Sequence, residues 1–174
     1  TRGQPIALSG GGEAALAKLR RLMKTQAALH VYAPAPAPEI EQWQAAGKLS
    51  LHRRAITADD LRGAALFYAA DEDATRDAAT AALARDAGVL VNIVDNLQDS
   101  EFITPAIVDR DPVTVAIGTE GAAPALARAI KADLEARLPV RLGPLARIGK
   151  AFRQMADALP MGRTRRGFWA DYYF

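Results

Sequence analysis

Pro5-Ile6-Ala7-Leu8-Ser9-Gly10-Gly11-Gly12-Glu13-Ala14-Ala15 is the stretch on which the reading of this chain turns. An apolar run of strand length stops at three consecutive glycines, and apolar residues then recur at Ala15, Leu16, Leu19, Leu22 and Met23 with a helical period. The stretch therefore predicts strand, glycine turn, helix. Gly10-Gly11-Gly12-Glu13-Ala14-Ala15 also fits G-x-G-x-x-G/A at the place where that pattern has a physical function. Glycine permits the tight turn and lets backbone N–H groups approach a pyrophosphate. The helix N-terminus adds partial positive charge, and a small third residue lets the helix pack on the strand. A glycine turn with purely structural duty would read the same way.

Working outward, Ala28 to Tyr32 predicts a second strand. It is broken by Ala33-Pro34-Ala35-Pro36-Ala37-Pro38, whose alternating prolines fit neither a helix interior nor a central strand. A short helix over Glu39 to Ala46 follows, then strands at Leu49 to Arg53 and Ala65 to Ala70, an alanine-rich helix from Ala74 to Ala87, and a fifth strand at Val89 to Val94. Nearly continuous apolar strands alternating with helices indicate an α/β fold, a Rossmann-like parallel sheet covered on both faces. After Asp95 the pattern changes. Phe102 to Val108 and Val113 to Gly118 flank the turn signal Asp109-Arg110-Asp111-Pro112 and predict an antiparallel pair. An amphipathic helix with Leu126, Ile130, Leu134 and Leu138 on one face comes next, then a helix from Gly143 with Leu145, Ile148, Phe152 and Met155, and an aromatic, basic helix from Arg163 to Tyr173. The boundary between body and appendage is expected between Asp95 and Asp109.

Half of the 174 residues are hydrophobic and 24% are charged, enough for one ordinary core or two small ones. The absence of cysteine excludes disulfides, thiolate metal sites and a cysteine nucleophile, and two histidines make a histidine cage improbable. No apolar run approaches the roughly 20 residues of a membrane span. A soluble cytoplasmic protein is the expectation, lacking some upstream residues because it begins at Thr1. Charge is uneven: Arg141 to Phe174 carries seven basic and two acidic residues, while the remainder is net −3. Such a tail is either a solvated helix pair or a wall that meets an anionic partner. With positive charge confined to one end, a nucleic-acid module is disfavoured.

Asp95 closes the fifth strand at the carboxyl edge, where open α/β sheets bind ligands, and is placed to act as a base or to serve as a turn residue with Asn96. The acid that usually binds the ribose hydroxyl is missing from the end of the second strand, where Ala33 and Pro34 stand, so NAD versus NADP stays open at this level. Asp71, Glu72 and Asp73 read as the cap and first turn of a helix, with metal binding the lesser alternative. Gly118-Thr119-Glu120-Gly121 is either an anion or hydroxyl site or a plain helix start. His30 and His52 read as core or surface residues. Phe168, Trp169, Tyr172 and Tyr173 among Arg163, Arg165 and Arg166 suit packing first and stacking on a flat anion second.

Val91-Asn92-Ile93-Val94-Asp95, then Phe102-Ile103-Thr104-Pro105-Ala106-Ile107-Val108-Asp109-Arg110, Val115-Ala116-Ile117 and Ala123-Pro124-Ala125-Leu126-Ala127-Arg128 together resemble the precorrin-2 dehydrogenase/ferrochelatase module of sirohaem synthases. The resemblance begins at Gly10, continues through Leu134 to Pro139, and reaches Arg165-Arg166-Gly167-Phe168-Trp169. It implies a homodimer whose subunit has an NAD-binding domain over residues 1–108, a dimerisation region of α+β type over 109–140 and a small helical domain over 141–174 that covers a tetrapyrrole. It implies oxidation of precorrin-2 to sirohydrochlorin with NAD as cofactor, then insertion of ferrous iron, a substrate, to give sirohaem. The family's catalytic aspartate falls on Asp95. Its cofactor contacts fall on Gly10, Gly12, Glu13 and Ala14 and on Ala33 and Pro34. Its regulatory serine falls on Thr119, where the hydroxyl is kept but the following glycine is Glu120. Arg110, Arg128, Lys131 and the basic tail are expected to dock the substrate's carboxylates. The rival expectations are a dehydrogenase without chelation and a non-catalytic NAD sensor.

Overall fold

The structure, a computed structural model, describes residues 3–173. Contacts divide the chain into two compact units, Thr1–Ile103 and Thr104–Phe174. In the first, five short strands form one parallel sheet: β1 (Pro5–Ser9), β2 (Ala28–Tyr32), β3 (Ser50–His52), β4 (Leu66–Ala69) and β5 (Leu90–Ile93). Their order is β3-β2-β1-β4-β5, so the chain winds one way from β1 and then crosses back to β4. That reversal opens a crevice at the carboxyl ends of β1 and β4.

Alternation along each strand distributes the core. Ile6 and Leu8 of β1 join Leu29, Val31 and Tyr68 beneath α1 (Glu13–Leu22), whose Ala15, Leu16, Leu19 and Leu22 are buried. Ile40 of α2 (Pro38–Ala45) completes that layer. Ala7, Phe67, Ala69, Val91 and Ile93 face the other way, against Leu61 of α3 (Ala58–Leu61) and Ala81 and Ala84 of α4 (Ala74–Asp86). The helix α3 has no counterpart in the sequence reading. Four residues cannot display a helical period, and a capping box between Thr57 and Asp60 holds it.

The second unit holds the antiparallel pair β6 (Ala106–Arg110) and β7 (Val113–Ile117), then α5 (Pro124–Arg137), α6 (Leu142–Ala156) and α7 (Arg163–Tyr173). The expected strand over Phe102 to Val108 starts late, at Ala106, and Phe102 is recruited elsewhere: it packs edge-on to Tyr68 with centroids 5.4 Å apart, and its carbonyl accepts from Asn92. The expected turn also shrinks, since Asp109 and Arg110 pair across the hairpin with Thr114 and Val113. Helix α6 buries Gly143, Gly149 and Ala156, while its large residues Ile148, Phe152 and Met155 are exposed. A Cβ on Gly143 would lie 2.2 Å from the Asp111 carbonyl, and one on Gly149 2.3 Å from the Tyr173 hydroxyl. The helix thus packs through its glycines. Among the described residues no helix is long and apolar enough to cross a membrane.

Candidate functional site

The three glycines meet three demands of close packing. Gly10 has φ +121, and a Cβ there would fall 2.0 Å from the carbonyl oxygen of Ala70 at the end of β4. A Cβ on Gly11 would fall 2.7 Å from the Ala35 carbonyl, and Gly11 itself accepts a 2.9 Å bond from the Ala37 N–H. The turn and the Ala-Pro loop are therefore in contact, which brings buried Ala33 beside Gly11, while Pro34, next in the loop, is exposed. Gly12 is the N-cap of α1 and offers no capping side chain.

What caps that helix instead is Glu72. Its Oε1 accepts from the Ala14 N–H at 2.5 Å, and a Cβ on Gly12 would meet the same carboxylate at 2.9 Å. Glu72 reaches this place from a left-handed backbone, φ +59. A carboxylate group thus sits where helix dipole and free N–H groups favour an anion, so the position suits a dinucleotide's phosphate in charge and in space. Asp73 next to it is the N-cap of α4, accepting from Thr75 and Arg76 at 3.0 Å each, which pulls its carboxyl below the usual range.

These loops and the end of β5 enclose a cleft of about 580 Å³ lined by Ala14, Ala70, Glu72, Asp77 and Asp95, among others. Asp95 is exposed at its mouth with φ +60, in a turn closed by the Asn96 N–H on the Ile93 carbonyl. Among the described residues its carboxylate has no hydrogen bond or ion pair. It is both a turn residue and a free acid. Glu13, exposed at the first position of α1, lies next to Ala14 on the same turn. Asp77 is a buried carboxyl; desolvation raises its pKa, opposed by the bond it accepts from the Asp71 N–H at 2.9 Å.

The remaining expected residues lie in the second unit. Thr119, half-buried, accepts from the Ala122 N–H in the tight turn before α5, beside Glu120 with φ +49. Arg110 spends its donors internally, on the Leu138, Asp109 and Glu135 carbonyls and on the Glu135 carboxylate at 3.1 Å. That fastens the end of α5 to β6 and leaves little for a ligand. Arg128 is exposed and has no ion pair among the described residues. The aromatic rings of α7 touch one another without being buried: Trp169 stacks on Tyr173 with centroids 5.8 Å apart, the Tyr172 hydroxyl donates to the Leu145 carbonyl, and Phe168 and Tyr173 stay exposed. His52 stacks on Tyr32 at 4.6 Å and His30 on His52 at 6.0 Å.

Two residues escaped the sequence reading. Lys18, one helical turn beyond Ala14, donates to Asn92 Oδ1 at 3.1 Å, and Asn92 is 6% exposed within β5. The signal was present in each case: a cation on the helix that leaves the glycine turn, and one amide in an otherwise apolar strand.

A family model described as "Putative NAD(P)-binding" matches residues 1–106. The "Siroheme synthase" of Chromobacterium violaceum is 43% identical over 169 residues, covering 97% of this chain and 36% of that protein. That of Ectopseudomonas mendocina is 40% identical over 173 residues, with 99% and 37% covered. The chain spans little more than a third of the length of these relatives. The solved structure of "SirC, precorrin-2 dehydrogenase" matches with a TM-score of 0.77 at 25% identity, over 95% of this chain and 82% of that one. The winding of the sheet, the glycine turn and the family match agree, and the chain belongs to this NAD(P)-binding family, as a homologue of sirohaem synthases.

Proposed function

We propose that this chain is an NAD-dependent precorrin-2 dehydrogenase that oxidises precorrin-2 to sirohydrochlorin, and that it then inserts ferrous iron to give sirohaem. The observation that carries the reading is the free carboxylate of Asp95 in the cleft that Ala14 also lines. When bound, NAD takes up the two electrons of the oxidation as hydride. Gly10, Gly12, Glu13 and Ala14 would hold its pyrophosphate end by backbone groups, and Ala33 and Pro34 would meet the adenosine end. Asp95 accepts the proton that the macrocycle must also lose, so two hydrogens leave as one hydride and one proton, and the carboxylate passes its proton to solvent. Before that transfer its charge stabilises the cationic conjugated system left by hydride loss. In the second reaction two pyrrole N–H protons leave as ferrous iron enters, and the same carboxylate receives them in turn.

Thr119 and Arg128 are the proposed contacts to the substrate, and Arg110 would join them only by giving up one of its bonds to α5. Arg128 is the one whose guanidinium is free, and Lys131 lies one turn beyond it on α5. A homodimer fits the apolar side chains that the second unit leaves exposed, Ile107, Leu126 and Ile130 among them. The proposed division is a cofactor domain over 1–108, a dimerisation region over 109–140 and a helical domain over 141–174, in a cytoplasmic enzyme.

The test is NADH formation from precorrin-2 and NAD, followed separately by sirohaem formation from sirohydrochlorin and ferrous iron without NAD. Asp95→Asn should reduce the first rate by about 10² to 10⁴-fold while NAD affinity stays within about twofold. No NADH from the wild-type chain ends the dehydrogenase reading. NADH without sirohaem in the second assay ends the chelatase half alone.

A further inference from the structure

A polar chain runs beneath Asp95. From α1, Lys18 Nζ donates to Asn92 Oδ1 at 3.1 Å and sits 4.7 Å from the centre of the Tyr68 ring. Asn92 Nδ2 donates onward to the Phe102 carbonyl at 2.8 Å and approaches Ser100 Oγ at 3.5 Å. Ser100 Oγ accepts from the Ile93 N–H at 2.9 Å and donates to the Asn96 carbonyl. Tyr68 closes the assembly by its edge-on contact with Phe102. Ile93 and Asn96, which flank Asp95, and Ser100 and Phe102 beyond it are thereby linked through Asn92 to one ammonium group on the helix that also bears Ala14. A lysine that loses this much water is costly unless its donors are used.

Resting on the proposal that Asp95 acts in the cleft, we infer that Lys18 is a positioning residue: through Asn92 it fixes the Asp95 segment relative to the helix that seats the cofactor. The charge on Lys18 is part of the arrangement. Burial first, and then Arg21 on the same helix, lower its pKa to about 8 against the opposing charge of Asp95. Besides these two, Tyr68 and Asn92 face the amine from β4 and β5. The ammonium that makes the stronger bond to Asn92 is therefore lost as pH rises through about 8.

The test uses the whole chain with Lys18→Met and Lys18→Arg. Amide hydrogen exchange of residues 94–102, read without substrate, should quicken severalfold in Lys18→Met while β1 and α4 keep their protection, and Lys18→Arg should restore part of it. With precorrin-2, Lys18→Met should lower kcat about tenfold or more and leave NAD affinity within about twofold. The wild-type kcat should fall above about pH 8, and Lys18→Arg should carry that fall to higher pH. Unchanged exchange at 94–102, loss of protection throughout the sheet, or altered exchange with unaltered kcat would each overturn the inference. If the wild type makes no NADH but the exchange changes appear as described, the Asp95 reading fails and the strut stands as a structural tie.

Discussion

Glu72 poses the sharpest question at the scale of single residues. Its carboxylate holds the Ala14 N–H against which a dinucleotide phosphate must compete. Removing it by Glu72→Ala should tighten NAD binding severalfold in a fluorescence titration, since neither the bond nor the like charge then has to be displaced. Weaker binding would mean that Glu72 contacts the cofactor, not that it stands in its way. Gly10→Ala should cost more than about 3 kcal/mol in urea unfolding, because both φ and the Ala70 carbonyl exclude a side chain. Asp60 supplies a pH test. Arg54 pairs with both of its oxygens at 2.6 Å, and this, with bonds from Thr57, holds its carboxyl far below the usual range. A depressed folded pKa stabilises above the unfolded value near 3.8 and is lost as pH falls below it. Asp60→Asn should therefore lower the Tm at neutral pH, and the gap to the wild type should narrow steadily below about pH 4.

At the scale of elements, what was legible in the sequence was whatever repeats. The strand at Pro5–Ser9 and the helix over Glu13–Leu22 follow from run length and a 3.6-residue period, and the Ala-Pro loop from the loss of N–H donors. The cleft between the glycine turn and the end of β5 followed from winding alone. Features set by distant contacts were not legible. No local pattern says that Glu72 will turn back onto a helix 58 positions earlier, that Phe102 will leave β6 to pack on Tyr68, or that α6 will bury glycines and expose Ile148 and Phe152. In α6 the apolar period was visible, but the side on which it would be used was not. Caps lie between these cases. Asp73 before Ala74 announced the start of α4, and its side chain satisfies two N–H groups. Asp73→Ala should cost about 1 kcal/mol by thermal or urea unfolding, with the cleft's NAD affinity changed far less than by Glu72→Ala.

Across the whole molecule, the two units differ in how they use their apolar residues. The first closes two layers around its sheet and keeps nearly all of its large side chains inside. In the second, α5 buries only Ala127 of its 14 residues, and Leu126 and Ile130 are 53% and 37% exposed one turn apart. Ile107 on β6 is 41% exposed. Each such side chain gains roughly 1.5–3 kcal/mol on full burial, so these exposed side chains, Leu126 and Ile130 on α5 above all, offer a strong incentive for association. In the proposed homodimer a second copy of the chain would supply the matching apolar face of α5, since a two-fold interface joins a patch to itself. Light scattering on the eluting protein should give about twice the 18.6 kDa chain mass. Leu126→Glu combined with Ile130→Glu should shift it to the single-chain mass, because burying two carboxylates without partners costs more than the lost apolar area returns. Since Gly10, Ala14 and Asp95 all lie in the other unit, the monomeric variant should still bind NAD. A double variant that stays at twice the chain mass would move the interface off α5.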